Sequence, residues 1–233
     1  MKRLTGIFLM LCALVLAGCN KDNYEAPKSC LTGRIVYEDE AVGLRQTGTG
    51  QDYNVLELYQ PGFEGTGNIP VYVDQEGNFT VLVYDGTYKL VAKKGYGPWP
   101  DTGTELNFDV HGDMQIDFPV TPYYVVRNAN FAVDGGQLEV TFDVVRGAFS
   151  LIEGDPAKLI ESISLYLGKT RFIDDVTFCQ KIDAEGLSVG THTISVNLES
   201  ADLKKYDMLY ARIGVGTKGI TQKVYTPGSE RVK

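Results

Sequence analysis

The feature that most constrains this chain is a period of two in its apolar residues, repeated along most of its length. In Leu-Glu-Val-Thr-Phe-Asp-Val, residues 138–144, the apolar side chains Leu138, Val140, Phe142 and Val144 alternate with Glu139, Thr141 and Asp143. Successive side chains of an extended strand point to opposite faces, so this pattern gives a strand with one packed face and one wet face. The same alternation puts Phe79, Val81 and Val83 on one face, and Met114, Ile116, Phe118 and Val120 on another. It returns in Ile-Ser-Leu-Tyr-Leu (163–167), His-Thr-Ile-Ser-Val-Asn-Leu (192–198) and Leu-Tyr-Ala-Arg-Ile-Gly-Val (209–215). Turn-forming groups separate these runs, at Gln75-Glu76-Gly77-Asn78, Tyr84-Asp85-Gly86 and Val133-Asp134-Gly135-Gly136. Helical periodicity is confined to one turn over Ala201–Tyr206, with Ser200 as its cap. The fold class is therefore all-β, built from short strands and glycine-rich turns.

The N-terminus obeys different rules. Lys2 and Arg3 precede an apolar run from Ile7 to Leu16 that is too short to span a bilayer, and Leu16-Ala17-Gly18-Cys19 follows. This order of basic head, apolar run, small residues and cysteine resembles a bacterial lipoprotein signal. It makes residues 1–18 a signal peptide and Cys19 the lipidated N-terminus of the mature protein. Asn20 in the next position implies an outer-membrane destination, with a surface location as a further expectation. Residues 19–28 are polar, end in Ala26-Pro27-Lys28, and read as a tether from lipid to domain.

Two compact units account for the rest. The mature length is right for two small β-sandwiches, and the best boundary falls at Thr121-Pro122, giving units at 29–121 and 122–233. Each contains enough alternating strands for a modest core of its own.

Charge narrows the partners. The chain carries a formal net charge of −8, and loss of Lys2 and Arg3 with the leader brings it near −10. Such a balance repels phosphate backbones, and no cluster of Lys or Arg offsets it, so nucleic acid is not an expected partner. Membrane attachment must come from the acyl chains. Cys30 and Cys179 stay in the mature protein; they could pair, although two separate buried thiols are the simpler reading. With two histidines in the chain, neither a His/Cys metal cluster nor any cofactor is expected.

Enzymatic chemistry finds little support. His192 shares a face with Ile194, Val196 and Leu198, which marks it as packed, and His111 sits in a turn. The carboxylate groups Glu38-Asp39-Glu40, Asp109 with Asp113, and Asp174-Asp175 read as wet faces or loops, and no calcium-loop ladder is present. The chain is read as non-catalytic.

The remaining chemistry is aromatic. Lys93–Gly103 holds the chain's one tryptophan, Trp99, between Pro98 and Pro100. The prolines remove two amide donors and stiffen the backbone, which disfavours a central strand. Tyr96, Trp99 and Asp101 thus form the candidate ligand-binding set: flat rings for sugar C–H faces and a carboxylate for hydroxyls. Two other placements stay open for the ring, as a plug over the end of the first sandwich or as filler between the two units.

A family resemblance joins these readings. Gly33 with Ile35, Gly77 with Phe79, and Gly86 with Tyr88 and Leu90 stand where a prealbumin-like, carboxypeptidase-regulatory-like domain has its Gly-x-(Val/Ile), Gly-x-Phe and Gly-x-Tyr-x-Leu strands. Some domains of this shape form a Lys–Asn isopeptide bond, but Arg34 stands where a lysine is needed. Over its full length the chain resembles the Bacteroidetes lipoproteins of domain of unknown function 3823. That resemblance implies a prealbumin-like sandwich followed by an immunoglobulin- or fibronectin III-like one. It also implies an accessory role beside an outer-membrane glycan importer and its binding lipoprotein, with a polysaccharide or oligosaccharide as ligand. The alternative is a structural or assembly subunit that binds another envelope protein.

Overall fold

The computed structural model describes residues 25–46, 54–62, 67–148 and 158–233. The signal peptide, Cys19 and the first part of the tether lie outside the described residues. Within them the chain is almost entirely strand and turn. The first half contributes β1 (Ser29–Tyr37), β2 (Glu40–Ala41), β3 (Leu56–Tyr59), β4 (Ile69–Val71), β5 (Asn78–Val83), β6 (Gly86–Ala92), β7 (Glu105–Val110) and β8 (Met114–Pro119). The second contributes β9 (Tyr124–Asp134), β10 (Gln137–Arg146), β11 (Ile160–Gly168), β12 (Gln180–Asp183), β13 (Gly190–Asn197), β14 (Tyr210–Thr217), β15 (Val224–Tyr225) and β16 (Glu230–Arg231).

Each half is a pair of sheets. In the first, β2 and β5 flank β1 antiparallel while β8 joins it in parallel, and the facing sheet runs β4-β3-β6-β7. In the second, β13-β10-β9 faces β12-β11-β14-β15, with β16 also on β14. The chain is all-β with two tandem sandwiches, as its alternation requires. Leu138, Val140, Phe142 and Val144 on β10 are buried while Glu139 between them is exposed. Phe79, Val83, Phe118 and Ile194 are likewise inside. The expected turn after Ser200 is present: the amides of Leu203 and Lys204 both donate to the Ser200 carbonyl, at 3.1 and 2.9 Å.

Gly33 shows why the first motif demands glycine. A Cβ at this position would stand 1.9 Å from the Ile116 carbonyl oxygen on β8 and 2.4 Å from the Phe79 ring on β5. The missing side chain is what lets the neighbouring strand and ring close on β1.

The interiors of the two halves meet at the boundary. One apolar cluster runs from Leu31 and Phe118 through Tyr123 and Tyr124 to Phe142 and Ile213. Val120, Pro122, Tyr123, Tyr124, Val125 and Val126 are all buried, so the segment joining the sandwiches is itself core rather than an exposed linker. Backbone hydrogen bonds stitch the seam: Tyr225 N donates to Gly43 O at 2.8 Å, and Tyr123 N to Pro98 O at 2.9 Å. Cys30 and Cys179 are separate free thiols, and burial pushes the Cys179 thiol up.

Candidate functional site

The loop after β6 does not present its tryptophan. Trp99 is only 6% exposed and belongs to the core. Its ring lies back over Gly97, where a Cβ would sit 2.0 Å from the indole. The prolines do keep Trp99 out of a strand, but the bare backbone of Gly97 lets the loop fold inward instead of standing out. Lys93 lies over the Tyr96 ring, 3.7 Å from its centroid, and the Asp101 carboxylate accepts the Gly95 amide at 2.7 Å. Trp99 and Asp101 border a shallow hollow of about 170 Å³ that Tyr96 does not line. The three residues therefore do not form one aromatic platform. Burial of the ring fits both inward placements left open, plug and filler, and the Pro98 carbonyl beside it accepts the Tyr123 amide of the joining segment at 2.9 Å.

The seam itself carries the molecule's most unusual polar groups. Arg212 on β14 is fully buried, with its Nε donating to Thr226 O at 3.0 Å, Nη1 to Ile173 O at 3.0 Å and Nη2 to Gln75 O. The Tyr225 ring lies 4.5 Å from the guanidinium carbon. Burial draws the Arg212 pKa down to about 10, partly offset by the charge of neighbouring acids, so it stays protonated at neutral pH. Because Gln75 belongs to the first half and Ile173 and Thr226 to the second, one side chain clamps both.

A second contact reinforces the clamp. Arg45 pairs with Asp175, which also accepts the Tyr225 hydroxyl at 2.9 Å and faces Lys223 at 3.3 Å. Burial opposes ionisation of Asp175, yet the hydrogen bonds from Arg45 and Tyr225 and the charges of Arg45 and Lys223 prevail. They hold its carboxyl below the usual carboxylate range. Burial is also what pushes the Tyr225 hydroxyl above the ordinary phenol range.

Above this clamp lies an open cleft of about 680 Å³ between the halves. The first half contributes Glu40 from β2 and Gln75-Glu76 from the turn before β5. The second contributes Val126 to Ala129 and Phe131 from β9, Arg171, Tyr210 and the segment Thr226–Glu230. Local structure aims the β9 wall. The β9–β10 register shifts between Thr141 and Asp143, Asn128 adopts φ 52°, and its amide donates to Asp143 at 2.7 Å. Such a bulge bends a strand and redirects its side chains. Hydrogen bonds from Thr191 and Asn128 hold the Asp143 carboxyl below its usual range.

Across the cleft, Arg127 bonds Glu40 and lies 3.6 Å from Glu38, while Arg171 lies 3.5 Å from Glu76. Tyr210 and Phe131 are half-buried rings on the same lining. Gln75 is 2% exposed, and its side-chain oxygen has no hydrogen-bond partner among the described residues. The arrangement offers two apolar surfaces beside carboxylate acceptors and amide and hydroxyl groups. Neither histidine lines it: His192 stacks on Phe142 with ring centroids 5.7 Å apart, its Nε2 2.8 Å from Ser188 O.

The sequence carried one unread signal of this site. Arg212 interrupts the run Ala211 to Val215, which is otherwise apolar or glycine, and an arginine there points to a strand buried on both faces. The partners of the clamp left no local mark, because Arg45 and Asp175 are 130 residues apart and Arg212 and Gln75 are 137 apart.

Comparison with known proteins places both halves together. Residues 29–121 match the N-terminal domain model of the DUF3823 proteins of unknown function, and residues 124–230 match the DUF3823_C domain of unknown function. A DUF3823 protein from Parabacteroides merdae is 34% identical, covers 90% of this chain and 100% of its own, and superposes with a TM-score of 0.77. One from Bacteroides ovatus is 29% identical over 88% of this chain and 100% of its own, with a TM-score of 0.74. A candidate carbohydrate-binding protein from Bacteroides uniformis shares the fold at 21% identity and a TM-score of 0.67, over 89% of this chain and 99% of its own. No curated protein matches the sequence.

Proposed function

The chain belongs to the DUF3823 family through both of its halves, and from this we propose that it is a non-catalytic glycan-binding protein whose site is the cleft above the Arg212 clamp. The observation that carries the reading is the pairing of Tyr210 and Phe131 with Glu40, Glu76 and Asn128 in one cleft on a rigid floor. A sugar ring has apolar C–H faces and a rim of hydroxyls, so it needs flat rings and hydrogen-bonding groups together. A floor tied by buried hydrogen bonds holds these groups in place and lowers the ordering cost of capture. The description of the Bacteroides uniformis relative as a candidate carbohydrate binder points the same way.

In this reading Cys19 carries the lipid, the protein sits at the outer membrane, and it serves polysaccharide uptake beside an importer. Palmitate labelling that disappears in Cys19→Ala would support the anchor; labelling unchanged by the substitution would overturn it. The cleft is tested by affinity gels and calorimetry on the lipid-free mature chain. Tyr210→Ala and Phe131→Ala should each weaken binding by about 1–3 kcal/mol, by analogy with stacking on aromatic side chains. Full affinity in both variants, with their melting unchanged, would remove the site from the cleft.

One observation favours the assembly role as a second reading. Phe172, Val176 and Phe178 are 47%, 68% and 39% exposed within one loop. Asp174 stiffens that loop by accepting the amides of Val176 and Thr177, both at 2.8 Å. A complex with another envelope protein that Phe172→Ser and Val176→Ser abolish would establish it.

A further inference from the structure

We propose, resting on the cleft as a glycan site, that it takes neutral oligosaccharides and excludes acidic ones. A carboxylated or sulfated sugar is held by cations whose donors are free to meet it, above all by the planar fork of arginine. Among the described residues two arginines line this cleft, and both forks already face carboxylates. Arg127 bonds Glu40 through Nη1 and lies 3.6 Å from Glu38 through Nη2. Arg171 directs Nη2 at Glu76, 3.5 Å away. Arg212 lies beneath the floor, fully buried, with each of its nitrogens donating to a backbone carbonyl. Among the described residues no lysine lines the cleft, and Glu230 on its rim makes no ion pair.

The lining therefore has more negative than positive charge. An anionic sugar would have to break an existing ion pair or meet an unpaired carboxylate, while repelled at longer range by a mature chain of net charge near −10. A neutral sugar meets the opposite situation. Its hydroxyls donate to the outer oxygens of Glu40, Glu76 and Glu230 without disturbing their partners, and its C–H faces can lie on Tyr210 or Phe131. The ion pairs thus act as a filter against charge, built from the same side chains that accept hydroxyls.

The test uses the lipid-free mature chain against matched polymers. Neutral glucans, mannans and xylans are run beside polygalacturonate and its carboxyl-reduced form, which keeps the linkage and removes the charge. Expected is binding to at least one neutral polymer, and at least tenfold tighter binding of any carboxyl-reduced chain than of its acidic parent. Tighter binding of an acidic polymer would overturn the neutral class while leaving the glycan reading standing. Binding of none would overturn both. Glu76→Gln supplies the converse: with the Arg171 fork uncovered, affinity for polygalacturonate should rise at least tenfold at low salt and fall again as salt is added. An unchanged rejection of polygalacturonate by a folded Glu76→Gln protein would show that the ion pairs are not the filter.

Discussion

Replacing Trp99 by alanine tests how the seam is built. The ring is 6% exposed and packed on its own backbone at Gly97, so nearly its whole surface leaves water on folding. A tryptophan side chain buries about 150–250 Å², which at roughly 25 cal/mol per Å² corresponds to about 4–6 kcal/mol. A compact denatured chain already hides roughly 10–40% of that surface, which leaves about 2–5 kcal/mol. Large aromatic core residues cut to alanine cost about 3–5 kcal/mol, the upper part of that range, because a cavity is left behind. For a chain of this length each kcal/mol moves the melting temperature by about 2–4 °C, so Trp99→Ala should melt roughly 6–20 °C lower. Urea and thermal melts followed by circular dichroism measure this directly, and saccharide binding is recorded on the same sample. In the parent protein tryptophan emission should be blue-shifted and unmoved by saccharide. A variant that loses less than about 1 kcal/mol of stability but loses its glycan affinity would refute the inward placement and restore the ring as a binding surface.

Other perturbations probe the rest of the frame. Arg212→Met leaves the carbonyls of Gln75, Ile173 and Thr226 without their donors and should cost about 3–5 kcal/mol; a variant as stable as the parent in urea would disprove the clamp. Asp175 is held below its unfolded value by Arg45, Tyr225 and Lys223, so its contribution is complete above the unfolded pKa of about 3.9 and fades as pH falls through the lower folded value. Urea melts from pH 7 to pH 3 should therefore show a shallower acid loss in Asp175→Asn than in the parent, and identical slopes would exclude the residue from acid unfolding. Gly33→Ala drives a methyl into the Ile116 carbonyl and should cost about 3 kcal/mol or more, whereas Gly186→Ala, with open space around it, should melt like the parent.

The strands were legible because alternation is a local property. Any window around Leu138–Val144 or Phe79–Val83 announces a face, and the motif glycines announce where strands crowd. The inward ring was half legible: Pro98 and Pro100 mark a loop, but whether that loop points outward depends on Gly97 and on Tyr123, which lies in the joining segment. The cleft was not legible. Its walls meet only after Gly43 pairs with Tyr225 and Gln75 reaches Arg212, contacts between segments more than 130 residues apart that no spacing rule connects. The meeting of the two interiors escaped for a related reason. A proline boundary such as Thr121-Pro122 marks a turn of the chain equally well in an exposed linker and in a buried crossing, and only the burial of Tyr123 to Val126 separates the two.

The most direct measurement of the cleft's role is a crystal structure of the lipid-free protein with a neutral oligosaccharide bound. The predicted result is sugar density against Tyr210 or Phe131, with hydroxyls on Glu40, Glu76 or Asn128 and the Arg127–Glu40 pair intact. Density confined to the small hollow beside Trp99 and Asp101, with the cleft filled by water alone, would contradict it.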